Sequence, residues 1–424
     1  MDSTPIRVKS AQRNPGKNPA LFPLQALNFF MADMQAGVGP FLGIFLLAHG
    51  WKSGPIGTVM TLGGVAGMLM TAPAGALVDN TTRKRRYVVI PGIFTILASA
   101  LILYSQNFWV VSLSQVATAI AGSAIGPAVV GITLGIVRQA GFNRQNGYNQ
   151  AYNHAGNVVG AALSGWLGMK YGLPAVFWLA VLFAILSIIS AVLIPAGAID
   201  DRIARGLKAD AAGEKISGLR VLLTCKPLLV LAAALAFFHL GNAAMLPLYG
   251  MAAATRNQGD PSMFVAMTII IAQAVMIVTS LIAMRMAENR GYWLVLFISF
   301  IALPVRALIA AHLISSAGLY PVQFLDGIGA GLQSVAVPGL VARILNGTGR
   351  INVGQGAVMT IQGLGASLSP ALGGWMAQDL GYPKTFLILG TFAFASVFLW
   401  LIFFRTLKNG NLQPAQKNQT AKAH

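Results

Sequence analysis

Gly165-Trp166-Leu167-Gly168-Met169-Lys170-Tyr171-Gly172-Leu173-Pro174-Ala175-Val176-Phe177 returns later in the chain as Gly374-Trp375-Met376-Ala377-Gln378-Asp379-Leu380-Gly381-Tyr382-Pro383-Lys384-Thr385-Phe386. Gly, Trp, Gly, Pro and Phe recur in order at an offset of 209 residues (374 − 165). The same offset carries Asp79-Asn80 onto Glu288-Asn289, and Asn153 onto Gln362. Outward from this repeat run twelve apolar segments, at 24–48, 54–78, 87–106, 109–137, 148–169, 174–196, 227–252, 262–284, 292–313, 319–344, 353–377 and 384–404. A helix needs about 20 apolar residues to cross the hydrocarbon of a bilayer, and in lipid a helix satisfies its own backbone hydrogen bonds. The expected fold class is an all-α membrane protein of twelve transmembrane helices in two pseudo-symmetric six-helix bundles.

Composition agrees with that class. Hydrophobic residues make up 56% of the chain and charged residues 9%, against about 25% charged in soluble domains. The chain divides into an N-terminal tail (1–21), a six-helix half (22–196), a polar central loop (197–226), a second half (227–405) and a C-terminal tail (406–424). The tails are expected to be disordered, and the central loop to carry a short amphipathic helix on the membrane surface. The first twenty residues are polar and the next apolar stretch is a full span, so no cleavable signal peptide is expected. Cys225 is the single cysteine, which leaves no intrachain disulfide and no cysteine-based metal cluster.

The net charge of +18 invites a nucleic-acid reading, but the positions of the charges oppose it. Of 29 Lys and Arg, 24 lie in the even-numbered loops and the termini. The odd-numbered loops hold Lys52, Lys170, Arg256 and Lys384. This is the positive-inside pattern and puts both termini in the cytoplasm. The expected partners are the lipid bilayer, a small-molecule substrate and protons; no nucleic acid, cofactor or metal is expected, and the chain is expected to be a monomer.

After the second segment comes Gly75-Ala76-Leu77-Val78-Asp79-Asn80-Thr81-Thr82-Arg83-Lys84-Arg85-Arg86. It resembles the loop signature of the major facilitator superfamily, with Asn80 in place of the first basic residue and Thr82 in place of a glycine. The resemblance spans roughly 24 to 404, and Glu288-Asn289-Arg290-Gly291 is its worn second copy. It implies the fold of that family, alternating access, and a gating role for Asp79. A carboxylate at a helix end can accept hydrogen bonds from another helix's N-terminus and pair with arginine. Arg83, Lys84 and Arg85 are read first as topology signals.

Two further family signatures are altered. The position of an intramembrane arginine is taken by Gln115 in the fourth segment and by Gln323 in the tenth. The arginine that the resemblance ties to proton coupling is therefore missing at both places. Gly156-Asn157-Val158-Val159-Gly160-Ala161 resembles the glycine-rich signature of exporters, with Ala161 replacing its proline.

Ionisable groups at bilayer depth are costly, so each is a candidate site residue. They are Asp33, His239, Arg306 and Asp326, with His154 nearer the cytoplasmic third. Candidate amides include Asn28, Gln35, Asn242, Gln273 and Gln333. Asn146, Asn149, Asn153 and Asn157 form one helical stripe, mirrored by Gln355 and Gln362. Either these stripes face a shared watery cavity or they serve interhelical bonding. Asp33 lies about 140° round the helix from Asn28. With no basic residue in its own segment, burial favours its protonated form and makes it the first candidate proton carrier. Arg306 either pairs with Asp326 or binds an anionic substrate, and an unpaired buried arginine is the costlier arrangement. His239 belongs to a residue type that titrates near neutrality.

The histidines are scattered, and neither a nucleophile constellation nor a phosphate-cradling lysine loop is present, which argues against a membrane enzyme and an ATP-driven pump. The expected function is secondary active transport of a small, partly apolar organic molecule, as proton-coupled efflux. The alternatives are proton-coupled uptake of a metabolite or siderophore and, further off, a receptor. Phe29, Phe30, Tyr148, Tyr152, Phe237 and Phe238 are the expected aromatic cavity residues.

Overall fold

Prolines lie just after two of the breaks between helices of this protein, while Pro73, Pro91, Pro304, Pro321, Pro338 and Pro370 sit inside continuous helices. The computed structural model describes residues 19–36, 38–204, 224–346, 351–405 and 407, without the side chains of 33–36, 38, 139, 143 and 352. Its helices are α1 (Leu21–Ala36), α2 (Val38–Ala48), α3 (Ser53–Asn80), α4 (Arg86–Tyr104), α5 (Phe108–Gly122), α6 (Ile125–Tyr171) and α7 (Pro174–Leu193). After the short α8 (Asp201–Ala204) come α9 (Lys226–Asn242), α10 (Met245–Thr255), α11 (Pro261–Arg290), α12 (Tyr292–His312), α13 (Ser316–Ile344), α14 (Ile351–Leu380) and α15 (Tyr382–Ile402). A proline denies a hydrogen bond to the carbonyl four residues back and crowds it. Pro127 and Pro247 lie four residues after Ser123 and Ala243, where the α5–α6 and α9–α10 breaks fall; α1 and α2 are separated by Gly37, outside the described residues. A further interruption lies within α6 at Arg138, whose φ of 58° and ψ of 178° are not helical.

Among the described residues, nine helical segments are long and apolar enough to cross a membrane; Leu21–Ala32 and Gly39–Ala48 are shorter apolar helices. The first expected span is described as Leu21–Ala36 and Val38–Ala48, with Gly37 between them outside the described residues. The expected fifth and eleventh spans are helical but carry the Asn-, Gln-, Ser- and Gly-rich stripes, which lower their hydropathy. The tails, and the part of the central loop expected to hold a surface helix, lie largely outside the described residues.

The helices form two sets. In the first, α1 packs on α6 and α7, α3 on α5, and α4 on α5 and α7. In the second, α9 packs on α14 and α15, α11 on α13, and α12 on α13 and α15. The sets meet along two seams, α3 with α14 and α6 with α11, and through α2 with α10.

The repeat is visible in the seams. A Cβ added to Gly165 would run into Ala266 and come 3.4 Å from the Ser262 carbonyl oxygen. One added to Gly374 would strike the Ser53 carbonyl and lie 3.1 Å from the Gly57 Cα. Ser53 and Gly57 map onto Ser262 and Ala266 by the same offset (53 + 209 and 57 + 209). Trp166 and Trp375 are each 46% exposed. The turns repeat as well: Gly50 and Gly259 have φ of 84° and 90°, and Gly172 and Gly381 have 85° and 82°. Only glycine takes this conformation cheaply, so the repeated glycines fix the same chain reversal twice.

Candidate functional site

A cavity of about 680 Å³ lies where the helix breaks converge. Gly39 and Pro40 at the start of α2 line it, as do Gly122, Ile125, Ala243 and Pro247 around the α5–α6 and α9–α10 breaks. Met60 and Met68 from α3, with Pro370 from α14, fill out its apolar wall. No charged, histidine or aromatic side chain is among the described lining residues.

Four polar side chains reach this wall, and they fall into two pairs. Thr95 donates to the Pro91 carbonyl at 3.1 Å and Thr118 to the Ser114 carbonyl at 2.7 Å, each one turn back on its own helix. Gln115 and Ser99 have no hydrogen-bond partner among the described residues. Ser114 donates to the Ala98 carbonyl at 3.4 Å, which sets α4 and α5 in register. Ser99 and Gln115, each the next residue along its helix, both line the cavity. Gly63 gives Gln115 its room, since a Cβ there would stand 3.4 Å from the Gln115 Cβ.

The charged candidates gather elsewhere, inside the second set. Arg306 on α12 is 1% exposed, and its Nη1 donates to Asp326 at 2.6 Å and to the Asn242 side chain at 2.7 Å. Its Nε and Nη2 make no hydrogen bond. Asn242 closes α9, one residue before the cavity-lining Ala243. The ion pair thus braces a break in the cavity wall from behind. His239, one turn earlier, is half-buried and its Nε2 has no partner. Gln333 donates to the Ser299 hydroxyl at 3.0 Å. Gln323 is fully buried with both amide atoms unpartnered.

Of the sequence-derived candidates, Gln115 is the one that lines this cavity. Asn28 is buried and donates to Leu24 of its own helix at 2.8 Å. Asn153 reaches the Asn28 carbonyl at 3.5 Å, and Asn157 donates to Asn153 at 3.4 Å. Asn149 links Gln145 to Thr133, at 2.9 Å on each side. Of these bonds, the one from Asn153 to Asn28 joins α6 to another helix, and the others made by the asparagine stripe lie within α6. Gln362 is half-buried with no described partner. The side chains of Asp33 and Gln35 lie outside the described residues.

The expected aromatics lie away from this cavity. Phe29, Phe30 and Phe183 stack on one another with ring centroids 5.2 to 6.3 Å apart. Phe238 packs on Phe300 at 5.8 Å, while Tyr148, Tyr152 and Phe237 are exposed. None of these expected aromatics is among the cavity's lining residues. Ser99 escapes sequence reasoning, since one serine in an apolar helix carries no periodic signal.

The loop after α3 divides its basic residues between tasks. Gly75 faces Pro127, 3.9 Å from a would-be Cβ. Asp79 is exposed and makes no hydrogen bond or ion pair among the described residues. Lys84 is 1% exposed, and its Nζ donates to the carbonyls of Val78 at 2.7 Å and Thr81 at 3.4 Å, capping α3. Arg85 reaches the carbonyls of Val192 and Ile194 at 3.2 and 2.7 Å, closing the end of α7. Arg83 is exposed.

Membrane-length helices in two repeated sets, with a ligand-sized cavity among their breaks, define a multi-pass membrane transporter. The chain belongs to the major facilitator superfamily, whose model matches residues 21–352. Two Mycobacterium tuberculosis relatives (strains CDC 1551 / Oshkosh and ATCC 25618 / H37Rv), each described as an uncharacterized MFS-type transporter, are 37% identical over 383 residues, covering 89% of this chain and 91% of theirs. Among solved structures, the nucleoside transporter NupG superposes with a TM-score of 0.72 at 14% identity, covering 92% of this chain and 100% of that one. A bacterial homolog of the human lysosomal transporter Spinster, inward-facing and occupied, gives 0.73 at 14% identity, covering 94% and 100%. A point mutant of the peptide transporter POT in complex with sulfate gives 0.76 at 13%, covering 94% and 97%. At such identities the likeness is one of fold.

Proposed function

We propose that this chain is a proton-coupled exporter of a small organic molecule, working by alternating access in the cytoplasmic membrane with both termini in the cytoplasm. One observation supports the reading: the two helix sets meet in close contacts at the end away from the termini. Gly374 against Ser53, Gly165 against Ser262, and Trp375 donating to Thr58 at 3.0 Å all lie there. Toward the other end, Asp79 is exposed and makes no hydrogen bond or ion pair among the described residues. With the basic loops facing the cytoplasm, this is the state that takes up cargo from inside. Repeated halves rocking about a central site then give the opposite state.

Export suits the wall of the cavity, because apolar compounds enter cells unaided and need a pump to leave. Coupling rests on Asp33. Arg306 holds Asp326 in an ion pair, whereas Asp33 has no basic residue in its own segment. The test is flux in proteoliposomes. Wild-type transport should follow an imposed pH gradient, and Asp33→Asn should abolish that dependence while sparing substrate exchange, which moves no net proton. Full pH-driven transport in Asp33→Asn makes it a structural acid; wild-type flux indifferent to pH gradients sinks the proton-coupled reading.

A further inference from the structure

We infer that the cavity is selective for uncharged molecules with a compact aliphatic body and a single carboxamide- or urea-type head, and that Gln115 and Ser99 read that head. The inference rests on the transporter reading and names its cargo class.

The wall excludes the alternatives by its chemistry. An ionised ligand entering it would give up hydration with no described charge to compensate, a large penalty. A planar heterocycle finds no aromatic face to stack on. Glycine, alanine, proline, leucine and isoleucine leave a smooth apolar surface, and Met60 and Met68 adapt to irregular shapes. An aliphatic body is what remains.

The head is fixed by the polar groups left over. Thr95 and Thr118 are spent on their own helices. Ser99 and Gln115 line the same cavity with no hydrogen-bond partner among the described residues. A primary amide side chain offers two donors and an acceptor, and a hydroxyl offers one donor and accepts. A carboxamide or urea can answer both at once, taking an N–H from Gln115 and returning one to its oxygen or to Ser99. A bare hydrocarbon leaves these groups unpaired.

The test uses the full chain in lipid nanodiscs and three probes that differ only in the head: adamantane-1-carboxamide, adamantane-1-carboxylate and adamantan-1-ylmethylammonium. Calorimetry at pH 7, corrected for uptake by empty nanodiscs, should show the carboxamide binding at least about tenfold more tightly than either ion. Gln115→Leu should cut that preference to within about twofold, and Gln115→Glu should turn it toward the ammonium. Ser99→Ala should weaken carboxamide binding while leaving the ions unchanged. An ion bound as tightly as the carboxamide, no binding of the carboxamide, or unchanged carboxamide affinity in both Gln115 variants overturns the inference. Counterflow separates the two readings. Carboxamide binding without flux counts against transport and leaves the selectivity standing, whereas flux of the ions alone leaves transport standing and overturns the selectivity.

Discussion

His154 Nδ1 on α6 lies 3.0 Å from Gln273 Oε1 on α11, a hydrogen bond from one helix set to the other. The repeat assigns each partner a counterpart: Gly363 for His154 (154 + 209) and Gly64 for Gln273 (64 + 209). On that second seam a Cβ at Gly64 would come 3.2 Å from Ser367, and one at Gly363 would come 3.5 Å from Met68. The seams match near their ends and differ here, with a polar pair on one and closely packed glycines on the other.

The strength of that pair is measurable. A double-mutant cycle with His154→Phe and Gln273→Leu should give a coupling energy of about 0.6 kcal/mol and no more than about 1.7, the range found for hydrogen bonds between membrane helices. Thermal unfolding in nanodiscs provides the four stabilities. Strict additivity would remove the bond from any account of how the sets are joined.

Gly374 tests the seam itself. Its would-be Cβ meets the Ser53 backbone, which cannot rotate away as a side chain can. Gly374→Val should therefore disfavour the state seen here, lowering transport by at least about tenfold, since a packed interface transmits strain. Distances between spin labels at the two ends of the seam should shift toward the opposite facing state. Unchanged distances with normal transport would mean that the seam does not limit the motion.

The Arg306–Asp326 pair should reveal itself by unequal costs. Asp326→Asn leaves a guanidinium that is 1% exposed without its counter-charge, and should cost about 3–5 kcal/mol. Arg306→Met combined with Asp326→Leu should recover most of that loss. Melting temperatures of the single and double variants check this, and a double variant no more stable than Asp326→Asn would contradict the pairing as the source of the cost.

Lys84 and Arg83 are neighbours with different work. Lys84→Met removes a buried donor from two carbonyls and should destabilise by about 1–3 kcal/mol. Arg83→Ala, at an exposed site, should stay within about 0.5 kcal/mol. Equal effects on thermal stability would return the whole cluster to a topology signal.

Asp79 makes no bond in this state, so Asp79→Asn should leave the stability of this state nearly unchanged. Transport should fall if the carboxylate is used only in the opposite state, because a group shifts an equilibrium only through a difference between its two ends. Wild-type turnover in Asp79→Asn would argue against a gate at this position.

The fold is legible in the sequence because its signals are local or periodic. Apolar length marks the spans, and the offset between Trp166 and Trp375 survives as equal exposure. The breaks are partly readable: Gly37-Val38-Gly39-Pro40 announces itself by its glycines, while Pro127 and Pro247 give a quieter signal four residues after Ser123 and Ala243. The site is much less legible. Gln115 stands out because it occupies an arginine's place. Ser99 does not, because only the register of α4 against α5 gives it a purpose. The asparagines are visible as a stripe, yet nothing in a single helix says whether its polar face meets water or, as with Asn149, another side chain. Lys84 cannot be told from Arg83, since burial depends on how the turn folds back against Gly131, where a Cβ would stand 2.9 Å from the lysine chain.

The prolines at the cavity have an evolutionary consequence. Pro127 and Pro247 supply no N–H to the carbonyls of Ser123 and Ala243, so acceptors are released where the helices part. These acceptors belong to the main chain, and no exchange of the side chains at 123 or 243 removes them. Descendants of this protein can therefore vary the side chains at 123 and 243 while keeping two main-chain acceptors, one on and one beside the cavity wall, and inherit a taste for hydrogen-bond donors along with the prolines. Loss of a proline would mend a helix and erase an acceptor in one mutational step.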